Sequence, residues 1–329
     1  MFSIKWRFML AFTIMLHYGV TGTWLQWYNP RNNFFLWFAP PRPIKGDKTL
    51  IAEEISKHSA WAKLDAVDCG DSAADRIIGG INAGLGQFPW IARLGYIEDD
   101  EIDWMCGGTL VTDRHVVTAA HCVQKSEYGF VLTKIRVGEH NTRTDPDCEL
   151  KVCAPAVQDR AIKNIISHPS FNKPAFHNDV AIIELDKPVT LNDYVMPICL
   201  PRTMEQLANL RIGDQMTVAG WGKMNMTTEE RADVLQVVSI PVVAPELCKA
   251  FGKGFKLSDS EICAGAEHNK DACGGDSGGP LMKIFDTTEG PKNYLVGVVS
   301  FGPTICGIKK PGVYASVSHF LKWILDNLV

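Results

Sequence analysis

Beyond residue 76 the chain is a succession of short apolar stretches, such as Val131 to Val137, Val180 to Leu185, Met216 to Ala219 and Tyr294 to Ser300, separated by Gly, Pro and Asn turns. Stretches of this length between turn formers predict the strands of an all-β body. Near the end the period changes. Val317, Phe320, Leu321, Ile324, Leu325 and Leu328 recur at helical spacing and predict an amphipathic C-terminal helix whose apolar stripe serves packing. At the other end Lys5 and Arg7 precede the apolar run Phe8 to Leu16, and Val20-Thr21-Gly22 follows, the layout of a secretory signal over residues 1–22. His17 interrupts this run well before the ~20 residues a membrane span needs. Because Trp24, Trp27, Phe34, Phe35, Trp37 and Phe38 prolong the apolar character, an uncleaved signal anchor is the alternative. Residues 23–76 read as a pro-segment in which Pro40-Pro41-Arg42-Pro43 is an extended linker and Ile51 to Leu64 a short helix of irregular apolar spacing.

The 329 residues allow two domains, or one large domain with extensions. With 21% charged and 46% hydrophobic residues the chain can bury an ordinary core, and a net charge of −4 argues against general nucleic-acid binding. Ten cysteines behind a signal segment place the protein on the oxidising, extracellular route. No two Cys-x-x-Cys motifs occur, so zinc ligation is a poor reading, and spacing alone does not assign the pairs.

The chemistry gathers in Lys270-Asp271-Ala272-Cys273-Gly274-Gly275-Asp276-Ser277-Gly278-Gly279-Pro280, one serine among glycines. A serine hydroxyl needs a base, an orienting acid and oxyanion donors before it becomes a useful nucleophile. His121 in Val117-Thr118-Ala119-Ala120-His121-Cys122 supplies a base and Asp179 in Asn178-Asp179-Val180-Ala181-Ile182-Ile183 a carboxylate, in the chain order His, Asp, Ser. The other eight histidines, His177 included, read as structural or solvated.

From Arg76 to the C-terminus the sequence resembles the chymotrypsin-like (trypsin-fold) serine proteases. The resemblance implies two antiparallel six-stranded β-barrels with the catalytic cleft between them, a C-terminal helix and a protease domain over residues 77–329. It assigns Ser277 as nucleophile, His121 as base, Asp179 as its orienting acid and the amides of Gly275 and Ser277 as the oxyanion hole. It makes Arg76-Ile77 an activation site, where the freed Ile77 amine inserts beside Asp276. It places Asp271 and Ala272 at the base of the specificity pocket, with Ser300, Gly302 and Gly312 along its walls. This set implies cleavage after Arg, preferred over Lys because Ala272 offers no hydroxyl to a compact ammonium. The family's disulfides imply Cys69–Cys199, Cys106–Cys122, Cys248–Cys263 and Cys273–Cys306, leaving Cys148 and Cys153 to close a surface loop.

Two accessory features follow. Glu139 matches a calcium-loop position of some relatives, with Asp145, Asp147 and Glu149 nearby, so a structural Ca²⁺ is an expectation to test. No cofactor is required for the reaction. Asn225-Met226-Thr227 is a glycosylation sequon. Met216 and Lys283 stand where many vertebrate relatives carry a further disulfide. Together with the Cys148/Cys153 loop, this is similar to the protease domains of arthropod clip-domain enzymes of the Easter and prophenoloxidase-activating types. The cysteine-free segment from Thr23 to Asp68 does not fit a clip domain, which needs six cysteines. The expectation is a secreted zymogen in an extracellular cascade such as melanisation, with protein substrates, an upstream activating protease and a serpin-type inhibitor as partners. The competing classes are a non-catalytic homologue acting as a binding cofactor, which the intact Ser277 disfavours, and a membrane-anchored protease.

Overall fold

In the computed structural model the described residues are 15–19, 22–29, 34–38, 48–72, 82–125, 129–208, 210–223, 230–251, 255–266, 275–303 and 310–328. Residues 1–51 form one compact unit and 52–329 another. Within the first, Met15–Gly19, Gly22–Asn29 and Phe34–Phe38 form a three-stranded antiparallel sheet. Among the described residues no helix is long and apolar enough to cross a membrane.

The larger unit contains two six-stranded sheets. The first is a closed barrel of β1 (Ile91–Glu98), β2 (Glu101–Leu110), β3 (His115–Thr118), β4 (Val131–Val137), β5 (Gln158–Ser167) and β6 (Ala181–Leu185), in the closed order β5-β6-β3-β2-β1-β4. The second comprises β7 (Gln215–Gly220), β8 (Gln236–Pro241), β9 (Glu261–Gly265), β10 (Pro280–Thr287), β11 (Gly290–Phe301) and β12 (Pro311–Ser316), ordered β8-β7-β10-β11-β12-β9. A bridge from Val242 to Ala264 brings its two edges together, so this sheet curls nearly to closure. All named pairings in both sheets are antiparallel. The expected two-barrel architecture is therefore present.

Burial explains which stretches became strands. In β6 Ala181, Ile182, Ile183 and Leu185 are all buried, and every residue of β12 is buried, as central strands covered on both faces must be. Where a sixth disulfide was missing, Met216 is fully buried and Lys283 pairs with Asp214 at 2.5 Å, so packing and a charge pair occupy those positions. The C-terminal helix runs Val317–Asp326 and buries Val317, Phe320, Leu321, Ile324 and Leu325, the stripe its spacing predicts.

The helix expected over Ile51 to Leu64 is broken into Lys48–Ser56 and Trp61–Leu64. The reason is local: His58 Nδ1 accepts the Ala60 amide at 3.1 Å, and a side chain bonding its own backbone competes with helix continuation. The break lets Ile55 and Trp61 enter the same core as the C-terminal helix. Trp61 Nε1 donates to the Ile55 carbonyl at 2.6 Å, and the Arg202 guanidinium lies 4.7 Å over the indole while pairing with Asp65 at 2.9 Å. His58 reaches Asp326 at 3.0 Å, Lys63 donates to the Leu328 carbonyl at 3.1 Å, and Cys69 is bonded to Cys199. Residues 52–72 are thus built into the body of this unit. Trp61→Ala is expected to lower its unfolding free energy by about 3 kcal/mol, the usual cost of emptying a buried aromatic site, measured by urea titration.

Candidate active site

His121 sits on a short 3₁₀ turn, Ala120–Val123, immediately after β3, and Asp179 lies just ahead of β6, the strand paired with β3. The register brings Ala181 opposite Thr118, so two residues far apart in sequence start from neighbouring backbone. His121 Nδ1 donates to Asp179 Oδ2 at 2.7 Å, and the His121 amide donates to Oδ1 at 2.9 Å. A third donor, Ser300 Oγ at 2.5 Å from Oδ2, comes from β11 in the second sheet. The hydrogen bond to Nδ1 leaves Nε2 as the ring nitrogen available to take a proton.

Asp179 is only 6% exposed. Burial alone raises its pKa, yet the His121 side chain, the Ser300 hydroxyl and the His121 amide outweigh burial and hold it below the usual aspartate value. A depressed folded value means the carboxylate's stabilising contribution is complete above the ordinary aspartate pKa of about 3.9 and is lost as pH falls through the lower folded value. The stability difference between wild type and Asp179→Asn should therefore shrink as unfolding is measured at progressively lower pH below about 4.

Ser277 lies in the turn leading into β10. Its carbonyl accepts the Gly107 amide at 2.8 Å, and Gly107 adjoins Cys106, whose disulfide to Cys122 fixes the residue after His121. Gly278 has φ +79°, and a Cβ there would overlap Thr118 Oγ1 and the Gly107 carbonyl. That close approach seats the serine turn against Thr118 and Ala119, two residues short of His121. Gly275, at φ +104°, also takes a backbone conformation that side-chain-bearing residues avoid.

Asp276 is 9% exposed, and its Oδ1 accepts the Gly222 amide at 2.8 Å. A Cβ on Gly220 or Gly222 would collide with this carboxylate, which accounts for the two glycines around Trp221.

Among the other expected site residues, Gly302 and Gly312 face each other, a Cβ on Gly302 lying 3.8 Å from the Gly312 Cα. Ser300, expected on the pocket wall, donates its hydroxyl to Asp179. Asp271, Ala272, Arg76, Ile77, Asn225, Cys273 and Cys306 lie outside the described residues. The other four expected disulfides are formed. Cys106, His121 and Cys122 cluster as metal ligands would, but both sulfurs are spent in a disulfide.

At the expected calcium-loop position, Glu139 stands beside two arginines. Its Oε2 faces Arg136 at 3.2 Å and Arg93 at 3.6 Å, two cations brought together because β1 and β4 pair Arg93 with Arg136. Arg93 lies against Trp104 and Trp221 at 5.0 and 5.2 Å, and burial pulls its pKa down to about 10. Burial is also the main cause raising the Glu139 pKa. Asp147 accepts the amides of His140 and Asn141 and the Thr144 hydroxyl, while Glu149 accepts the Leu85 amide and Asp145 the Val157 amide. Asp145, Asp147 and Glu149 are thus turned to N–H and O–H donors, and both guanidinium groups lie on Glu139 Oε2, while its Oε1 is buried with no hydrogen-bond partner among the described residues.

The sequence model of the trypsin family matches residues 77–324, well over half the chain. The chain belongs to the trypsin family of serine proteases. Phenoloxidase-activating factor 1 of Holotrichia diomphalia is 39% identical over 79% of this chain and 72% of its own length. The Spaetzle-processing enzyme of Drosophila melanogaster is 38% identical over 79% of this chain and 68% of its own length. The crystal structure of the Drosophila Grass clip serine protease of the Toll pathway superposes with a TM-score of 0.71 at 31% identity, covering 86% of this chain and 78% of that one. This trypsin-family chain is a serine-type endopeptidase of the arthropod clip-domain type.

Proposed function

We propose that the protein is a secreted zymogen, activated by cleavage between Arg76 and Ile77, that hydrolyses peptide bonds after arginine in an extracellular proteolytic cascade. The observation that carries this reading is the three-donor setting of Asp179, which presents His121 in the tautomer a serine nucleophile requires. Ser277 Oγ attacks the scissile carbonyl as His121 Nε2 takes its proton. The oxyanion is held by the amides of Gly275 and Ser277, and His121 then protonates the leaving amine. Water activated by the same nitrogen releases the acyl-enzyme. No metal or other cofactor takes part in these steps.

Activation acts through Asp276. The ammonium freed at Ile77 inserts beside this buried carboxylate and sets the adjoining Gly275–Ser277 turn. The Cys69–Cys199 bond and the docked Trp61 segment keep the two resulting chains together. Upstream proteases and protein substrates are the partners this reading requires, and relatives named for phenoloxidase activation and Spaetzle processing support a cascade role.

Asp271 with Ala272 favours the guanidinium fork over an ammonium. Matched peptides that differ only in Arg, Lys or Leu before the cut test this directly. The cleaved enzyme should prefer Arg to Lys severalfold and ignore Leu. Equal Arg and Lys rates would remove the Ala272 argument, and rapid Leu cleavage would remove the role of Asp271.

A further inference from the structure

The turn that carries the proposed oxyanion donor is covered by a side chain the sequence leaves unmarked. A Cβ built on Gly275 would lie 3.3 Å from the Gly222 Cα and 3.7 and 3.8 Å from Arg231 Nε and Cδ, so the backbone at Gly275 is enclosed between the Gly222 corner and the Arg231 stem. Gly275 has φ +104°. Glycine is as free to leave such a conformation as to adopt it, so the neighbours decide whether its amide stays aimed.

Arg231 is held at both ends. At its backbone it bridges to Lys223, and the next residue, Ala232, donates its amide to the Gly222 carbonyl at 3.3 Å while the Gly222 amide donates to Asp276 at 2.8 Å. At its tip, Nη1 donates to the Trp104 carbonyl and to Asp103 Oδ1, the latter at 3.2 Å. The Arg231 and Asp103 side chains are 33% and 53% exposed, so solvent screening leaves the ion pair little weight and the carbonyl contact does the holding. Trp104 lies in β2 of the first barrel, and Arg231 in the segment between β7 and β8, so the clip ties the oxyanion turn to the opposite barrel. Its anchor is firm. The guanidinium groups of Arg136 and Arg93 lie 4.7 and 5.0 Å from the Trp104 ring, and Arg93 also lies 5.2 Å from Trp221, between the two glycines packed on Asp276. Arg93, Trp104, Trp221, Gly275 and Asp276 line one small cavity, so these contacts converge on the turn.

We propose that Arg231 is a positioning residue for peptide hydrolysis, its stem clipped to the Trp104 carbonyl and keeping the Gly275 amide aimed at the oxyanion. The role requires no contact with the reacting atoms. An oxyanion exists only once the serine has attacked, so a misaimed amide weakens binding of the transition state and leaves binding of the ground state in place.

The test compares the Arg76-cleaved wild type with Arg231→Met and Arg231→Lys, using an arginyl peptide and two inhibitors. Benzamidine fills an arginine pocket without forming an oxyanion, whereas a peptidyl arginine aldehyde forms one in its adduct with Ser277. Arg231→Met keeps an unbranched stem and removes the N–H donors, and Arg231→Lys restores a donor head. Arg231→Met should lower kcat about tenfold, less than outright loss of an oxyanion donor, with KM within about twofold. It should weaken the aldehyde by the same factor as kcat and leave benzamidine unchanged, and Arg231→Lys should recover part of both losses. An unchanged kcat, a loss confined to KM, or equal weakening of the two inhibitors would overturn the proposal. It rests on the catalytic reading above: a cleaved wild type that neither turns over the peptide nor binds the aldehyde overturns both, whereas an active wild type matched by Arg231→Met overturns this proposal alone.

Discussion

Ser277→Ala lowers kcat on an arginyl peptide by about 10⁴-fold or more while KM changes little, the pattern expected when the group lost acts only in the transition state. Around Ser277 the elements that prepare the reaction are contributed by both barrels. The turn is seated on Thr118 and Ala119 by the absent side chain of Gly278, and the Gly107 amide holds the Ser277 carbonyl. His121 is oriented by two bonds to Asp179, which itself takes a hydroxyl from Ser300 of the second barrel. Because these residues act as one unit, adding His121→Ala to Ser277→Ala should cost little further, and the measurement that checks it is a double-mutant cycle on kcat. Multiplicative losses would mean that Ser277 and His121 act in separate steps.

Arg76→Ala, which removes the basic residue before Ile77, leaves a chain that the activating protease does not open and whose activity stays at least about 10² to 10³ below that of the cleaved enzyme. The size of the effect follows from Asp276. Its carboxylate lies against Gly220 and Gly222 and accepts the Gly222 amide, directly beside Ser277 in the chain. On the proposed activation the Ile77 ammonium comes to this carboxylate, and the move resets the backbone of Gly275, whose amide is a proposed oxyanion donor. N-terminal sequencing of the cleaved wild type should return Ile77-Ile78-Gly79-Gly80. On a non-reducing gel the cleaved protein should stay intact through Cys69–Cys199, separating into two chains only on reduction. Full activity of the uncut Arg76→Ala protein would contradict this switch.

The strings around His121, Asp179 and Ser277 were legible in the sequence because each is a local pattern with a local cause. The glycines permit backbone approach, the apolar run before His121 and after Asp179 makes paired strands, and Cys122 pins the turn. The C-terminal helix was legible for the same reason, its six apolar residues repeating at one spacing. What escaped sequence reasoning depends on residues with no local mark. The bond from the Ser300 hydroxyl to Asp179, 121 positions away, is one such contact. His177 was read as an ordinary histidine, and only the docking of the two barrels brings it to Glu261, 84 positions on. The arginine pair beside Glu139 is another, since strand register, which the motif there does not encode, sets Arg93 opposite Arg136 against that carboxylate. The break at His58 that turns Trp61 into the core was likewise hidden by irregular apolar spacing.

The central claim is that Ser277, prepared by His121 and Asp179, becomes a nucleophile once the chain is cut after Arg76. Its most direct test is mass-spectrometric mapping of the adduct formed with an arginyl phosphonate before and after cleavage. One adduct per molecule at Ser277 in the cleaved protein, with little or none in the uncut chain or in cleaved His121→Ala, is the predicted result; a cleaved wild type that takes no label, or takes it elsewhere than Ser277, would contradict the account.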